Sequence, residues 1–197
     1  MASGPKILAF AGSAWKDPFN KKLVKFAAQG ARGVGAQVTE LDFADLPLPL
    51  FDQDVEAEEG LPAGVIRLKE LMREHDGFLI ASPEYNSSIS PMLKNAIDWA
   101  SRSSGPDDTP MSAFKGKAAA LMSASPGGLG GMRDLVTVRS ILINIGVLVW
   151  PGQVAVRSAH DAFADDGSLK DAARHEAVER HGSELTGLLA KLKGESN

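Results

Sequence analysis

The chain has 197 residues, of which 44% are hydrophobic and 23% charged, the balance of an ordinary globular protein rather than a fibrous or disordered one. Its formal net charge is -4 and no run of Lys and Arg is free of interspersed acids, which argues against a nucleic-acid surface. The longest apolar stretch, residues 141–150, is broken by Asn144 and Gly146 and is too short to span a bilayer. There is no cysteine, hence no disulfide, thiolate nucleophile or thiolate metal ligand, and a cytoplasmic setting is expected. Residues 1–6 lack a basic region followed by an apolar stretch, so no secretion is expected. The four histidines (His75, His160, His175, His181) show no metal-ligand spacing and are expected to be exposed polar residues; no metal site is expected.

The elements alternate. Residues 6–11 are a short apolar run stopped by Gly12-Ser13, the pattern of a buried parallel strand. Phe19, Leu23, Phe26 and Ala27 recur at helical spacing up to about Gly30. Residues 37–43 alternate in period two, as a half-buried edge strand would. Asp45 to Gly60 is rich in Pro and acids and predicts a long loop. Val65, Leu68 and Met72 mark a second helix and residues 77–81 a third strand. Leu93, Ala96, Ile97 and Ala100 mark a third helix, and residues 117–122 a fourth strand. Leu135, Val138, Ile141, Leu142 and Ile145 form a fourth helix, after which Val147 opens the fifth strand. The last helix runs from about Leu169 to Leu192, with Ser168 and Asp171 as its capping box. Five strands alternating with five helices predict an α/β fold, a doubly wound parallel sheet with helices on both faces. A single domain over residues 1–197 is expected, with residues 1–5 disordered.

In such folds ligands bind beyond the carboxyl ends of the strands. The loop after strand one, Gly12 to Asn20, leads into a helix N-terminus whose free N–H groups and positive dipole end suit a phosphate. Ser13 and Asn20 offer side-chain hydrogen bonds there; a plain turn with Asp17 as N-cap and Pro18 as first helical residue is the other reading. Neither a Gly-x-Gly-x-x-Gly nor a Walker pattern occurs. The loop after strand three, Ser82 to Pro91, holds the sole tyrosine, Tyr85, among residues that donate and accept hydrogen bonds. It suits a flat heterocycle with a polar edge and an apolar face, or else is a turn and helix cap. The third loop, Ser123 to Gly131, carries four glycines that let backbone approach a ligand closely; a flexible surface turn is its alternative.

The stretch PEYNSSISPMLKNAIDW, Pro83 to Trp99, resembles the hallmark of the NADPH-dependent FMN reductase family, which includes quinone, chromate and azo-dye reductases. ILAFAGS at 7–13, LPLPLFDQD at 46–54 and SASPGGLGG at 123–131 extend the resemblance over nearly the whole chain. It implies a flavodoxin-like fold and FMN at the carboxyl edge of the sheet. It places Pro83, Glu84, Tyr85 and Asn86 along the isoalloxazine and ribityl, Ser87 and Ser88 beside them, and Gly127 and Gly128 along the other side, with Ser13, Asn20 and Ser125 completing the cofactor set. NADPH or NADH is the implied hydride donor, and quinones, chromate or azo compounds are the implied acceptors. Hydride transfer takes place on the flavin, so no catalytic side chain is implied. A homodimer or homotetramer is usual in the family. Lys94 and Asp98, four apart, read as a structural pair, and Trp99 as packing in the core or at a dimer face.

Two residues depart from the family. Most relatives have Arg where this chain has Trp15 and Ser where it has Pro18. The arginine would make a charge-assisted contact to phosphate, and proline has no N–H to give. The departure leaves a flavodoxin-like electron carrier and a flavin-free scaffold as alternatives to the reductase, and it predicts loosely held FMN. Trp15→Arg with Pro18→Ser should tighten FMN by about 2–4 kcal/mol. Flavin titration of parent and double variant checks this, and equal dissociation constants would show the two residues to be harmless.

Overall fold

The computed structural model describes residues 4–13 and 19–194. Strands β1 (Lys6–Ala11), β2 (Gln37–Leu41), β3 (Gly77–Ala81), β4 (Ala118–Ala124) and β5 (Leu148–Val156) form an all-parallel sheet in the order β2-β1-β3-β4-β5. The α-helices among the described residues are α1 (Phe19–Gly33), α2 (Gln53–Glu59), α3 (Ala63–Glu74), α4 (Pro91–Ala100), α5 (Met132–Asn144), α6 (Ala159–Ala162) and α7 (Ala172–Gly194). The order reverses between β1 and β3, which makes the carboxyl ends of those strands the switch point of a flavodoxin-like sheet.

Two apolar layers hold the sheet. Helices α1 and α7 cover one face, where Leu23, Ala27, Val178, Leu185 and Leu189 pack on Ile7, Ala9, Leu79 and Ala120. Helices α3, α4 and α5 cover the other, where Leu68, Leu93, Ile97, Leu135 and Leu142 pack on Leu8, Phe10, Phe78, Ile80 and Leu121. β3 and β4 are buried at every position, as covered parallel strands should be. β2 is an edge strand, as its alternation predicts, and β5 is the other edge, which is where Pro151 can sit in a strand.

Several expectations need correction. The segment expected to be a loop between Asp45 and Gly60 contains α2, capped by Asp52, whose side chain accepts from Asp54 N. It escaped the periodicity because none of its residues is buried; the Glu56–Arg102 ion pair at 2.7 Å ties it down instead. β4 runs to Ala124, so Ser123 is a strand residue, held by pairing to Ala155 on β5. The capping box before α7 is absent: Asp171 alone caps, accepting from Ala173 N and Arg174 N, while Ser168 hydrogen-bonds Asp166. His75 and His181 are buried rather than exposed. His75 bridges Leu71 O and Thr39 Oγ1, and His181 meets Leu121 O. Burial pushes the His181 imidazole down from its ordinary pKa. Pro5 is buried and its carbonyl accepts from Gln37 N, so the expected disorder of residues 1–5 does not reach it; residues 1–3 lie outside the described ones.

Trp99 is fully buried in its own chain. Its Nε1 donates to Pro49 O at 2.7 Å, and its ring meets Phe51 edge-on at 4.9 Å. Asn95, one turn earlier on the same face of α4, donates to Pro49 O and accepts from Phe51 N. The two side chains therefore bind the extended 46–52 segment to α4. Lys94 and Asp98 pair at 2.7 Å on the exposed side of that helix.

Candidate functional site

At the carboxyl edge of the sheet the last backbone groups have no further strand to pair with, and the loops must satisfy them. The Asn20 side chain does so for β4. Its Nδ2 donates to Ala124 O at 2.8 Å and its Oδ1 accepts from Ala124 N at 2.9 Å. This pair fixes the start of α1 across the end of β4. The Ser90 hydroxyl caps α4 by accepting from Leu93 N and donates to Gly12 O at 2.5 Å, joining the first loop to the third-strand loop.

These ties leave a cleft of about 440 Å³ between the loops. Pro83, Glu84 and Tyr85 form one wall, Ala124, Ser125 and Pro126 another, and Ser13, Phe19, Asn20 and His160 the α1 end. Six of the sequence-predicted site residues thus meet: Ser13, Asn20, Pro83, Glu84, Tyr85 and Ser125. Asn86, Ser87, Ser88, Gly127 and Gly128 stand next to the walls without lining them, and all five are exposed. Trp15, Lys16, Asp17 and Pro18 lie outside the described residues. Sequence reasoning missed Phe19 as a wall, taking it as helix packing, and set His160 aside as a solvated histidine. Phe19 stacks on Phe163 at 5.3 Å and meets the His160 ring edge-on at 5.0 Å. The sequence signal was there: Phe19 lies within the predicted phosphate loop, Gly12 to Asn20.

The loop after β3 turns tightly. Tyr85 and Ser88 exchange backbone hydrogen bonds at 2.9 and 3.1 Å, and Asn86 and Ser87 both have positive φ, 51° and 68°. That is the geometry of a two-residue hairpin turn, in which asparagine is at ease and serine is strained. Non-glycine residues held in such conformations cluster at ligand sites. Below the turn Glu84 is clamped by Arg133, at 2.5 Å from Nη2 and 3.0 Å from Nε.

The glycines of the third loop divide into two pairs. A Cβ on Gly131, which has φ 89° and caps α5, would strike the Ser123 hydroxyl, and one on Gly130 would lie 2.7 Å from Arg157 N. Those two are structural. A Cβ on Gly128 meets nothing within 4 Å, and one on Gly127 only Ser125 Oγ at 3.6 Å. The backbone there is bare toward open space, as a cradle for a flat ligand requires.

Asp134 lies beneath the Glu84 corner and is fully buried. Its Oδ1 accepts from the Ser82 hydroxyl at 3.0 Å, while its Oδ2 and the neighbouring strand's Ser123 Oγ have no partner. Burial pushes its pKa up to about 7; the Ser82 hydrogen bond opposes the rise and the nearby Glu84 charge adds to it. Its position in the first turn of α5 favours the anion by only about 0.3–1 kcal/mol.

The comparisons with known proteins bear on the family and the fold. The model of the NADPH-dependent FMN reductase family matches residues 5–161. The chain belongs to that family. An NAD(P)H-dependent FMN reductase of Pseudomonas aeruginosa is 36% identical over 197 residues, 98% of this chain and 100% of the relative. A quinone reductase of Escherichia coli K12 is 37% identical over 150 residues, 76% of this chain and 75% of that one. Among solved structures, the flavoenzyme NAD(P)H:(acceptor) oxidoreductase from Paracoccus denitrificans superposes with a TM-score of 0.77 at 31% identity, covering 95% of this chain and 98% of that one. The residues of the cleft fit FMN reductase chemistry. Pro83, Ala124 and Pro126 give the cleft apolar surface for a flat ring, and Ser13, Glu84 and Ser125 give it polar groups.

Asp134 generates a pH prediction. Its folded-state pKa is raised above the unfolded value, so its cost is absent in acid, grows as pH rises from about 4, and is complete above about 7. Asp134→Asn removes the titrating group. Thermal melts of the protein without flavin should show the parent losing stability relative to the variant across that pH range, with a slope of at most about 1.4 kcal/mol for each pH step of one. Parallel pH profiles would contradict this account of the carboxyl.

Proposed function

We propose that this protein is an NAD(P)H-dependent oxidoreductase that uses FMN to reduce flavin and small acceptors, with quinones as the best-supported class. The cleft between the Pro83–Tyr85 wall and the Ala124–Pro126 wall, with the open Gly127 and Gly128 backbone following directly after Pro126, carries the reading. Bound FMN supplies the two-electron chemistry, taking hydride from NADPH or NADH and giving electrons to the acceptor. The chain supplies placement. Pro83, Glu84, Tyr85, Asn86, Ser87 and Ser88 would hold the ring and ribityl on one side, and Gly127 and Gly128 would let backbone lie along the other. Ser13 and Ser125 would address the phosphate side. Asn20 would serve chiefly by fixing the start of α1, since its amide is engaged by Ala124. Tyr85, 48% exposed at the mouth, offers a flat surface to an incoming acceptor.

Assembly as a homodimer or homotetramer belongs to the same reading. With Trp99 inside its own chain, α5 is the better face: Met132, Val136 and Ile143 are 57%, 65% and 56% exposed along it. No helix among the described residues is long and apolar enough to cross a membrane. We place the reaction in the cytoplasm, where the soluble nicotinamide donor is held, and treat residues 1–197 as one functional domain.

The experiment mixes purified protein with FMN, NADPH and a benzoquinone. FMN-dependent oxidation of NADPH, faster with the quinone present, is the expected result. FMN binding without oxidation would make the protein an electron carrier, and neither would make it a scaffold.

A further inference from the structure

The cleft has an unbalanced set of charges. Among the described side chains lining it, Glu84 is the acid, already paired with Arg133 at 2.5 Å, and His160 is the basic one. Among the described residues, a ligand with a phosphate group therefore finds one nitrogen base in the wall, the His160 imidazole at the α1 end. Between Gly12 and Asn20 the sequence holds one basic residue, Lys16, and no arginine.

We propose that His160 is the cationic contact for the phosphate of the bound flavin mononucleotide. The assignment rests on the FMN reading of the cleft. Three observations place the imidazole for that task. Its ring is set edge-on against Phe19, the first residue of α1, at 5.0 Å, and Phe19 is itself backed by Phe163. The ring thus lies beside the first described turn of α1, the end of a helix whose dipole favours an anion. The segment that carries it is tied to the glycine loop: Ser158 N donates to Gly127 O at 3.2 Å and Ala159 N to Ser125 O at 3.1 Å, with Ala159 fully buried as the anchor. Ser158 turns the chain there at φ 48°, a left-handed position that a serine occupies at a cost. The cost is met in the place where it brings His160 over the cleft. Finally, His160 is exposed and, among the described residues, its side chain has no hydrogen-bond or ion-pair partner of its own. An imidazole beside a phosphate is favoured in its charged form and then donates from both nitrogens.

The test compares FMN with riboflavin, which has the same ring and ribityl but no phosphate. His160→Phe keeps an aromatic ring on Phe19 and removes the charge; His160→Arg restores a cation. Titrating each flavin into parent and variants, with melting temperatures measured alongside, should show His160→Phe weakening FMN about tenfold while riboflavin changes less than twofold. His160→Arg should recover most of the FMN affinity. Equal losses for both flavins would make His160 a wall residue only, and no loss for either would remove it from the site; both overturn the assignment while leaving the FMN reading intact. A parent that binds neither flavin overturns the FMN reading and the assignment with it.

Discussion

The bidentate pairing of the Asn20 amide with the backbone of Ala124 is the interaction on which the candidate site depends. A parallel sheet ends abruptly at its carboxyl edge, and the groups left there are too costly to bury unpaired, at about 1–3 kcal/mol each. Asn20 imitates one more residue of neighbouring strand. It spans 104 residues of sequence, and in doing so it sets the first turn of α1 against the end of β4. The Ser90–Gly12 contact repeats the device between the loops that follow β1 and β3. The cleft is the space these satisfied strand ends enclose, so its shape follows from the sheet's own hydrogen-bond accounting.

A second set of ties works from α4. Asn95 and Trp99 hold the Pro49–Phe51 backbone, and Arg102 holds Glu56. Two stretches of the family pattern, one around Leu46–Asp54 and one around Pro83–Trp99, are thereby explained as partners in one contact. In this chain Trp99 spends its indole N–H on Pro49 O and its bulk on the core of its own fold. The apolar surface that remains exposed runs along α5 instead.

The sheet was legible because β1, β3 and β4 are buried runs and α1, α3, α4 and α5 carry clear apolar faces, so period and burial agreed. Helix α2 was not, because it buries nothing and is held by charge and capping. The cleft was legible as three loops, since the topology of a doubly wound sheet puts the ends of β1, β3 and β4 together. Its details were less so. The sequence does not distinguish Gly127 and Gly128, which leave open space, from Gly130 and Gly131, which serve the backbone of β5 and the start of α5. Nor does it reveal that Asn20 is spent on Ala124, or that Ser158 carries His160 to the cleft, because both depend on contacts far apart in the chain. Asp134, a carboxyl at the first turn of a helix, reads as an ordinary surface acid until the fold buries it behind Ser82 and Glu84.

On the proposed function, FMN lies against the backbone of the loop that carries Gly127 and Gly128. Flavin titration of Gly127→Val, with thermal unfolding followed in parallel, tests it, because a Cβ at Gly127 meets only Ser125 Oγ at 3.6 Å in the protein and would crowd a ligand lying on that backbone. The account predicts an unchanged melting temperature without flavin and a loss of FMN binding. A variant that melts normally and binds FMN as tightly as the parent would place the flavin elsewhere.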